Sequence, residues 1–465
     1  MKTKQLILLL IILVLGLVLR LRLSMDDCLH QWDERFHALV SKNMLKHPMK
    51  PTLYETPVLK YDYKQWYSNH IWLHKQPLPL WLITSSYAAF GVSEFSTRLP
   101  SLIFSLLAIY ITFLLGKNFF SAKTGILAAF FMCINGLVLE LGSGRIATDH
   151  YELLFMVFIE ISILFAYYNS LKKTLSLAVL SGIFMGCAVI TKWLPCLVIL
   201  PIHYCFLKNT NSGPKEMIKQ LGFSLLACIL VSAPWQIYIL YTYPLESRWE
   251  YFHHWLHVIE ELEGRTDNGY LYFIDKIRMN YSEIVYLPLL YFGYKLSKPT
   301  FKNYNLIALF IWIFLPIIFF SFVKTKMQGY ILFVCPALFI LTAAFFFELK
   351  ENTSKLKDRK GLAVLSWLVL LAILVLPIRY CYERTAFGLN APACVNYIAY
   401  YKAIQAMPEK SIVLNVQHPV DFMFYNNCTA YTIAHITEQE KDSLIKTGFS
   451  LYVYNTETNS INPLK

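Results

Sequence analysis

Charged residues are scarce in this sequence: Asp, Glu, Lys and Arg make up 15% of the 465 residues, whereas 56% are hydrophobic. The apolar residues recur in blocks about one bilayer long, and the mean hydropathy is +0.44. This shortage of charge excludes a soluble domain for most of the chain. The composition predicts a polytopic membrane protein.

The sequence also lacks cysteine motifs of the redox or zinc-binding type and internal repeats. The ten cysteines are scattered, with no Cys-x-x-Cys and no Cys/His cluster at zinc spacing, so neither a redox motif nor a structural zinc site is indicated. The sequence shows no repeat of about 20 to 50 residues and no low-complexity tract. These absences leave the apolar blocks as the main organising feature.

The apolar blocks predict about eleven transmembrane helices in an all-α membrane domain that spans residues 1–380. The first, residues 6–23, is expected to be retained, because Arg20 and Arg22 close it and no small-residue cleavage site follows. The short stretch 77–92 opens with Pro-Leu-Pro and is expected to be juxtamembrane or re-entrant. The later crossings are predicted at 96–116, 123–142, 150–168, 174–191, 193–207, 221–242, 283–295, 304–323, 329–347 and 361–380.

Loop charges set the predicted orientation. With the N-terminus in the cytoplasm, the cytoplasmic segments hold seventeen Lys and Arg residues against four acids, whereas the outer loop 244–282 holds seven acids against four basic residues. The net charge of +12 is therefore largely a topology signal, and no nucleic-acid partner is expected. The chain is predicted to be a multi-pass protein of the inner (plasma) membrane.

A change in hydropathy marks a second domain at 381–465, predicted to be a small soluble α/β domain outside the membrane. Strands are expected at 411–416, 428–433 and 450–454, and a helix at 438–446 follows Thr437 as its cap. Cys381, Cys394 and Cys428 would lie in an oxidising compartment, where a disulfide is conceivable but its pairing cannot be read from the sequence.

Ionisable residues gather at the predicted outer ends of the helices, mainly in the outer loops 24–95 and 244–282. For any one of them, a solvated loop end or a snorkelling side chain is an equal alternative. Their conjunction suits attack on a sugar whose leaving group is a lipid phosphate. A carboxylate, Asp33, would accept a proton or orient the nucleophile, and Lys75 and Lys326 would neutralise the departing phosphate.

Several short motifs carry a family resemblance over roughly residues 5–350. They are Asp33-Glu34-Arg35, His74-Lys75-Gln76-Pro77-Leu78, Arg98-Leu99-Pro100-Ser101, Asp149, Thr191-Lys192, Pro234-Trp235 and Lys326-Met327-Gln328-Gly329-Tyr330. In this order and spacing, the sequence resembles the protein O-mannosyltransferase and aminoarabinose (lipid A) transferase family, which are C-type membrane glycosyltransferases using lipid-phosphate sugars.

The resemblance implies inverting transfer of a sugar from a polyprenyl-phosphate donor to an envelope acceptor, which is lipid A, a glycan or a protein. Asp33 would be the catalytic carboxylate and Glu34 its supporting neighbour. The implied donor-phosphate residues are Lys75, Lys192, Lys326, Tyr330 and Arg98, and the implied further substrate contacts are Asp149, His74 and Gln328. A local pair with Glu94 explains Arg98 equally well.

Two departures from the family pattern concern this site. His74 stands where aminoarabinose transferases commonly have an acidic residue, so a divalent metal bound there would need other ligands, and His254 and His257 are the candidates beside it. Bystander histidines are the competing interpretation, and no cofactor is predicted with certainty. Gln328-Gly329 replaces the usual Leu-Pro-x and is expected to loosen the turn before Tyr330.

A transporter or flippase of lipid-linked sugars is the alternative function. Transporters commonly show paired repeats with interrupted helices and ionisable groups near the bilayer midplane. Here the ionisable residues gather at one surface instead, which favours an enzyme.

Overall fold

Helices account for most of the chain. In the computed structural model, the described residues are 3–146, 151–262, 269–355, 359–390, 394–404, 407–408 and 410–464. The helices are α1 Thr3–Ser24, α2 Asp33–Met44, α3 Pro77–Phe90, α4 Glu94–Phe119, α5 Ala122–Ile134, α6 Gly136–Gly142, α7 Tyr151–Lys172, α8 Leu175–Lys192, α9 Ile199–Asn209, α10 Pro214–Thr242, α11 Pro244–Ile259, α12 Tyr272–Tyr281, α13 Tyr286–Leu296, α14 Tyr304–Phe322, α15 Cys335–Thr353, α16 Lys360–Thr385, α17 Asn396–Ala403, α18 Pro419–Tyr425 and α19 Glu438–Lys446. Short 3-10 helices precede α9, α12, α13 and α15 and follow α16.

Within the described ranges, eight helices are long and apolar enough to cross a membrane, or nine if the bent pair α5 and α6 is one span. Each of the eleven predicted crossings contains a helix in its described residues, but α9 and α13 are short, with 11 residues each. The multi-pass membrane architecture predicted from the sequence is therefore confirmed. The stretch 77–92 forms α3, whose 14 residues are too few to span a bilayer, as expected for a juxtamembrane helix.

A break between α5 and α6 has an identifiable cause. The two helices meet at 55° around Asn135, whose side chain caps α6 by accepting from the Val138 amide at 3.0 Å. The carbonyls of Met132 and Cys133, at the end of α5, accept hydrogen bonds from the Arg20 guanidinium of α1 at 3.3 and 3.1 Å. Arg20 thus satisfies carbonyl groups near the point where the helix breaks.

The C-terminal region contains a four-stranded sheet in the order β2-β1-β3-β4, formed by β1 Ser411–Leu414, β2 Thr429–Ala430, β3 Ser450–Asn455 and β4 Ser460–Pro463. β1 pairs in parallel with β2 and β3, and β4 pairs antiparallel to β3. The three predicted strands are present, although β2 is much shorter than predicted. The predicted helix 438–446 is α19, capped reciprocally by Thr437 and Glu440.

A disulfide joins Cys28, which follows α1, to Cys394, which precedes α17. Cys381 and Cys428 are free. The sequence drew attention to Cys394 but not to its partner, because the two cysteines are 366 residues apart. The crosslink places the connection between α1 and α4 on the same side of the protein as the sheet.

Candidate active site

A cavity of about 410 Å³ opens at one end of the helical bundle, where five separate parts of the chain meet. These parts are the start of α2, the segment 66–76, the end of α8, helix α11, and the region from the end of α14 to Tyr330. The polar side chains on its wall include Asp33, Lys75, Gln76, Lys192, His254 and Tyr330. The rest of the wall is rich in apolar and aromatic residues, among them Trp66, Trp255, Val258, Phe319, Phe320 and Val323.

Asp33 and Lys75 face one another on this wall. Asp33 is the first residue of α2, and Lys75 lies two residues before α3. The Lys75 ammonium nitrogen is 3.9 Å from a carboxylate oxygen of Asp33, and the two side chains are 20% and 17% exposed. The structure therefore brings the predicted carboxylate and a predicted phosphate-binding cation together in a partly hydrated cleft.

Lys192 and Tyr330 form a second polar part of the cavity. Lys192 ends α8, forms an ion pair with Glu152 in the first turn of α7, and has its ammonium 4.7 Å from the centre of the Tyr330 ring. The fully buried Glu152 was not predicted as a site residue. A Cβ atom at Gly329 would lie 3.2 Å from the Glu152 side chain, so the glycine allows this close approach. The Gly329 departure from the family pattern thus has a packing reason.

Lys326 and Gln328 flank cavity residues, but in the described structure they are not part of its lining. Lys326 is buried, and the two residues before it bond to the end of α11: the amides of Lys324 and Thr325 donate to the carbonyls of Val258 and His257, each at 3.1 Å. These bonds fix the segment that leads to Met327 and Tyr330. Asp149, the remaining predicted substrate contact, lies outside the described residues.

Glu34 and Arg98, the latter predicted to contact donor phosphate, form a buried ion pair, and neither is among the described residues that line the cavity. The Arg98 Nε is 2.7 Å from a Glu34 carboxylate oxygen, and both side chains are 2% exposed. Arg98 also donates to the carbonyls of Ser24, Asp26 and Cys28. Burial raises the pKa of Glu34, but Arg98 and His30 outweigh it and lower the pKa to about 2.

The Glu34–Arg98 pair extends into a larger network that the sequence did not reveal. His30 lies 2.8 Å from Glu34 and 3.2 Å from Asp26, and Arg145 Nε lies 2.7 Å from Asp26. The only sequence signal was the four-residue spacing of Asp26, His30 and Glu34. Glu34, predicted as the supporting neighbour of Asp33, thus points into this network and is not among the described residues that line the cavity.

The three histidines proposed for a metal line the same cavity, with the ring centre of His254 6.2 Å from that of His74 and 6.4 Å from that of His257. No group of three or more His, Cys, Asp or Glu residues able to hold a metal is found in the part of the chain that the structure describes. His74 Nδ1 lies 3.3 Å from the Glu250 carboxylate, and His254 Nδ1 lies 2.7 Å from the Glu250 carbonyl oxygen. Burial lowers the pKa of His254 to about 4 and that of His257 to about 3. Glu250 thus orients the rings of both His74 and His254 through their Nδ1 atoms.

The chain is similar in sequence to several known proteins. Residues 74–238 match a family model described as dolichyl-phosphate-mannose-protein mannosyltransferase. The chain is 29% identical over 364 residues to an uncharacterized protein of Aquifex aeolicus, covering 77% of this chain and 67% of that one. It is 24% identical over 384 residues to the undecaprenyl phosphate-alpha-4-amino-4-deoxy-L-arabinose arabinosyl transferase of Yersinia enterocolitica, covering 77% of this chain and 63% of that protein.

Solved structures share the fold at low sequence identity. ArnT from Cupriavidus metallidurans, in a crystal structure bound to undecaprenyl phosphate, has a TM-score of 0.67 at 15% identity, covering 98% of this chain and 94% of that one. The archaeal oligosaccharyltransferase AglB from Archaeoglobus fulgidus has a TM-score of 0.59 at 12% identity, covering 97% of this chain and 69% of that one. The chain spans 49 to 63% of the length of the curated arabinosyl transferases it matches.

Proposed function

We propose that this chain, which belongs to the C-type membrane glycosyltransferases, transfers a sugar from a polyprenyl-phosphate donor to an acceptor in the cell envelope. Lipid A, a glycan and a protein are the acceptor classes. The observation that carries the proposal is the pairing of Asp33 with Lys75 at 3.9 Å on the wall of a cavity with a large apolar surface. Related proteins named as undecaprenyl-phosphate-dependent transferases support the donor class.

The two kinds of cavity wall suit the two parts of such a donor. The phosphate and sugar would lie at the polar end, near Lys75, Lys192 and Tyr330, and the first isoprene units along Val258, Phe319 and Val323. A cation beside a partly dehydrated phosphate interacts more strongly than in bulk water. We keep Lys326 among the proposed donor-binding residues because it is the neighbour in sequence of Met327, which lines the cavity.

The chemistry would be a single displacement. The Asp33 carboxylate accepts the proton of an acceptor hydroxyl while the oxygen of that hydroxyl attacks the anomeric carbon of the donor sugar. The bond between that carbon and the phosphate oxygen breaks, and polyprenyl phosphate leaves with the bonding electrons. Lys75 and Lys192 stabilise the negative charge that grows on the phosphate. Attack from the side opposite the leaving group inverts the anomeric configuration.

The site also suggests how the chain is organised. We infer a membrane domain over residues 1–380, with the chemistry in the connections 24–95 and 244–282, and a soluble domain over 381–465. The cavity would then face outside the inner membrane, where envelope acceptors are found.

The purified Asp33→Asn variant tests the function, assayed with polyprenyl-phosphate sugars and extracted envelope lipids, glycans and proteins as acceptors. Loss of the base should lower transfer by about a hundredfold or more. Asp62→Asn is the matched control, because Asp62 is exposed in the same connection and accepts only a local bond from the Lys64 amide in the described structure. Transfer by Asp33→Asn at the parent rate would contradict the proposal.

Lys75→Met addresses the donor phosphate in the same assay. A preorganised cation contributes about 2 to 4 kcal/mol to transition-state stabilisation, so turnover should fall by about thirtyfold to several hundredfold. Lys326→Met should weaken transfer as well, and Lys60→Met, at an exposed position of the same connection, serves as the control. Movement of lipid-linked sugar across a reconstituted bilayer without any transfer would favour the transporter alternative.

A further inference from the structure

The first three residues of α2 contact three different parts of the protein. Asp33 lines the cavity and faces Lys75. Glu34 pairs with Arg98 of the membrane helix α4. Arg35 turns to the C-terminal region, where its Nη1 lies 3.1 Å from a carboxylate oxygen of Asp421 in α18. The first turn of α2 is therefore a junction between the cavity, the membrane helices and the C-terminal region.

The contact between Arg35 and Asp421 is well enclosed. The Asp421 side chain is 2% exposed and that of Arg35 is 21% exposed. The Tyr397 hydroxyl donates to the same Asp421 oxygen at 3.1 Å. A buried carboxylate held by a guanidinium and a hydroxyl has a restricted position, and loss of either charge leaves the other poorly compensated.

Other bonds hold α18 against the far end of α2 and against the residues before it. At the far end, the Lys42 ammonium donates to the carbonyls of Met423 and Phe424, each at 2.8 Å. In the residues before α2, the Leu29 amide donates to the Tyr425 hydroxyl of α18 at 3.1 Å. Lys42 thus anchors the C-terminal end of α2, whereas the Arg35–Asp421 pair anchors the end that carries Asp33.

The start of α2 depends on such anchors. The residue before it, Trp32, has a left-handed backbone with φ of 72°, and no side chain of the capping residue bonds to the first turn. Asp33 and Arg35 are two residues apart in one helical turn, so a shift of Arg35 moves the Asp33 backbone with it. Misplacement of a reacting group by about 1 Å can lower the rate about a hundredfold.

We propose that Asp421 is a positioning residue for Asp33: through Arg35, the C-terminal region sets the orientation of the first turn of α2 and hence the geometry between Asp33 and Lys75. This inference rests on the proposed function. It makes the C-terminal region a working part of the active site, although none of its residues is among those that line the cavity in the described structure.

The test compares Asp421→Asn, Arg35→Gln and the double variant with Lys42→Met in the full-length protein. For Asp421→Asn, kcat for transfer should fall about tenfold or more, while KM for the donor changes less than about threefold, because donor-binding groups are intact. The kcat of the double variant should fall no further than that of the more impaired single variant, because both partners act through one contact. Lys42→Met should lower the unfolding temperature with kcat of the folded protein unchanged.

The outcomes of this test distinguish the positioning role of Asp421 from the proposed transfer function. Parent kcat in folded Asp421→Asn, or losses that multiply in the double variant, would overturn the positioning role while leaving the proposed function intact. Equal losses of kcat in Lys42→Met and Asp421→Asn would show general loosening of α2 and would also overturn it. If Asp421→Asn does not fold, the double variant, in which both partners are neutral, is measured instead. A double variant with the kcat of the parent protein would rule out the positioning role of Asp421. Absence of transfer by the parent protein removes the proposed function and this inference with it.

Discussion

At the scale of single residues, the adjacent acids Asp33 and Glu34 have separate tasks because a helix directs neighbouring side chains about 100° apart. Asp33 faces the cavity, and Glu34 enters a buried network with Arg98, His30 and Asp26. The same motif therefore places one acid on the cavity wall and the other in an ion pair that fixes the helix bearing both.

Glu34→Gln should act mainly on stability. Removing one partner of a buried ion pair typically costs about 3 to 5 kcal/mol, because it leaves the other charge, here on Arg98, uncompensated. The unfolding temperature in detergent should fall clearly, while folded protein keeps more transfer activity than Asp33→Asn. Glu55→Gln is the control, since its partner Lys46 is 66% exposed and such pairs contribute only about 0 to 1 kcal/mol. An unchanged unfolding temperature in Glu34→Gln would contradict this assignment.

His30 should make stability depend on pH. Burial lowers its pKa, but Glu34 and Asp26 outweigh this and raise the pKa above 6.5. A raised pKa in the folded state means that the stabilisation is complete below 6.5 and is lost as pH rises through the folded value. The parent protein should therefore show a falling unfolding temperature on the alkaline side of neutrality. The His30→Gln variant should be less stable at pH 6 and have a flatter profile; a parallel profile would refute the role of His30.

At the scale of elements, the length of the apolar segments predicted the membrane helices, because a helix that crosses a bilayer needs a nearly continuous run of apolar residues. The helix α19 was predictable from its local capping box. Helices α11 and α12 were missed inside the connection 244–282 because their amphipathic, charged sequences also suit a loop. Of the residues that the motifs predicted, Asp33, Lys75, Lys192 and Tyr330 line the cavity. The pairing of Arg98 with Glu34 could not be predicted, because the two residues are 64 positions apart.

The break between α5 and α6 depends on an arginine in another helix. Arg20→Met would leave the carbonyls of Met132 and Cys133 without their donor. Each buried group left without a partner costs about 1 to 3 kcal/mol, so the variant should be markedly less stable than the parent in thermal unfolding. Arg22→Met, two residues away and exposed, should unfold close to the parent temperature. Equal behaviour of the two variants would show that Arg20 does not support the break.

At the scale of the whole molecule, the disulfide and the α2–α18 contacts place the cavity and the C-terminal sheet on one side of the membrane helices. Loop charge predicts that this side is the outer one, because the basic residues gather in the opposite connections. The crosslink holds Cys28 and Cys394 on one side of the membrane helices, and the loop charges predict which side of the membrane that is.

This topology predicts a specific labelling pattern in intact cells. Thr456→Cys lies in the exposed turn between β3 and β4 and should react with an impermeant thiol reagent. Ser354→Cys, exposed at the end of α15 in a lysine-rich connection on the opposite side, should react only after lysis. Both positions lie at the ends of elements and have no buried side chain to lose, so folding should be little affected. The reverse pattern would put the cavity on the cytoplasmic face, where envelope acceptors are absent, and would contradict the orientation while leaving the fold unchanged.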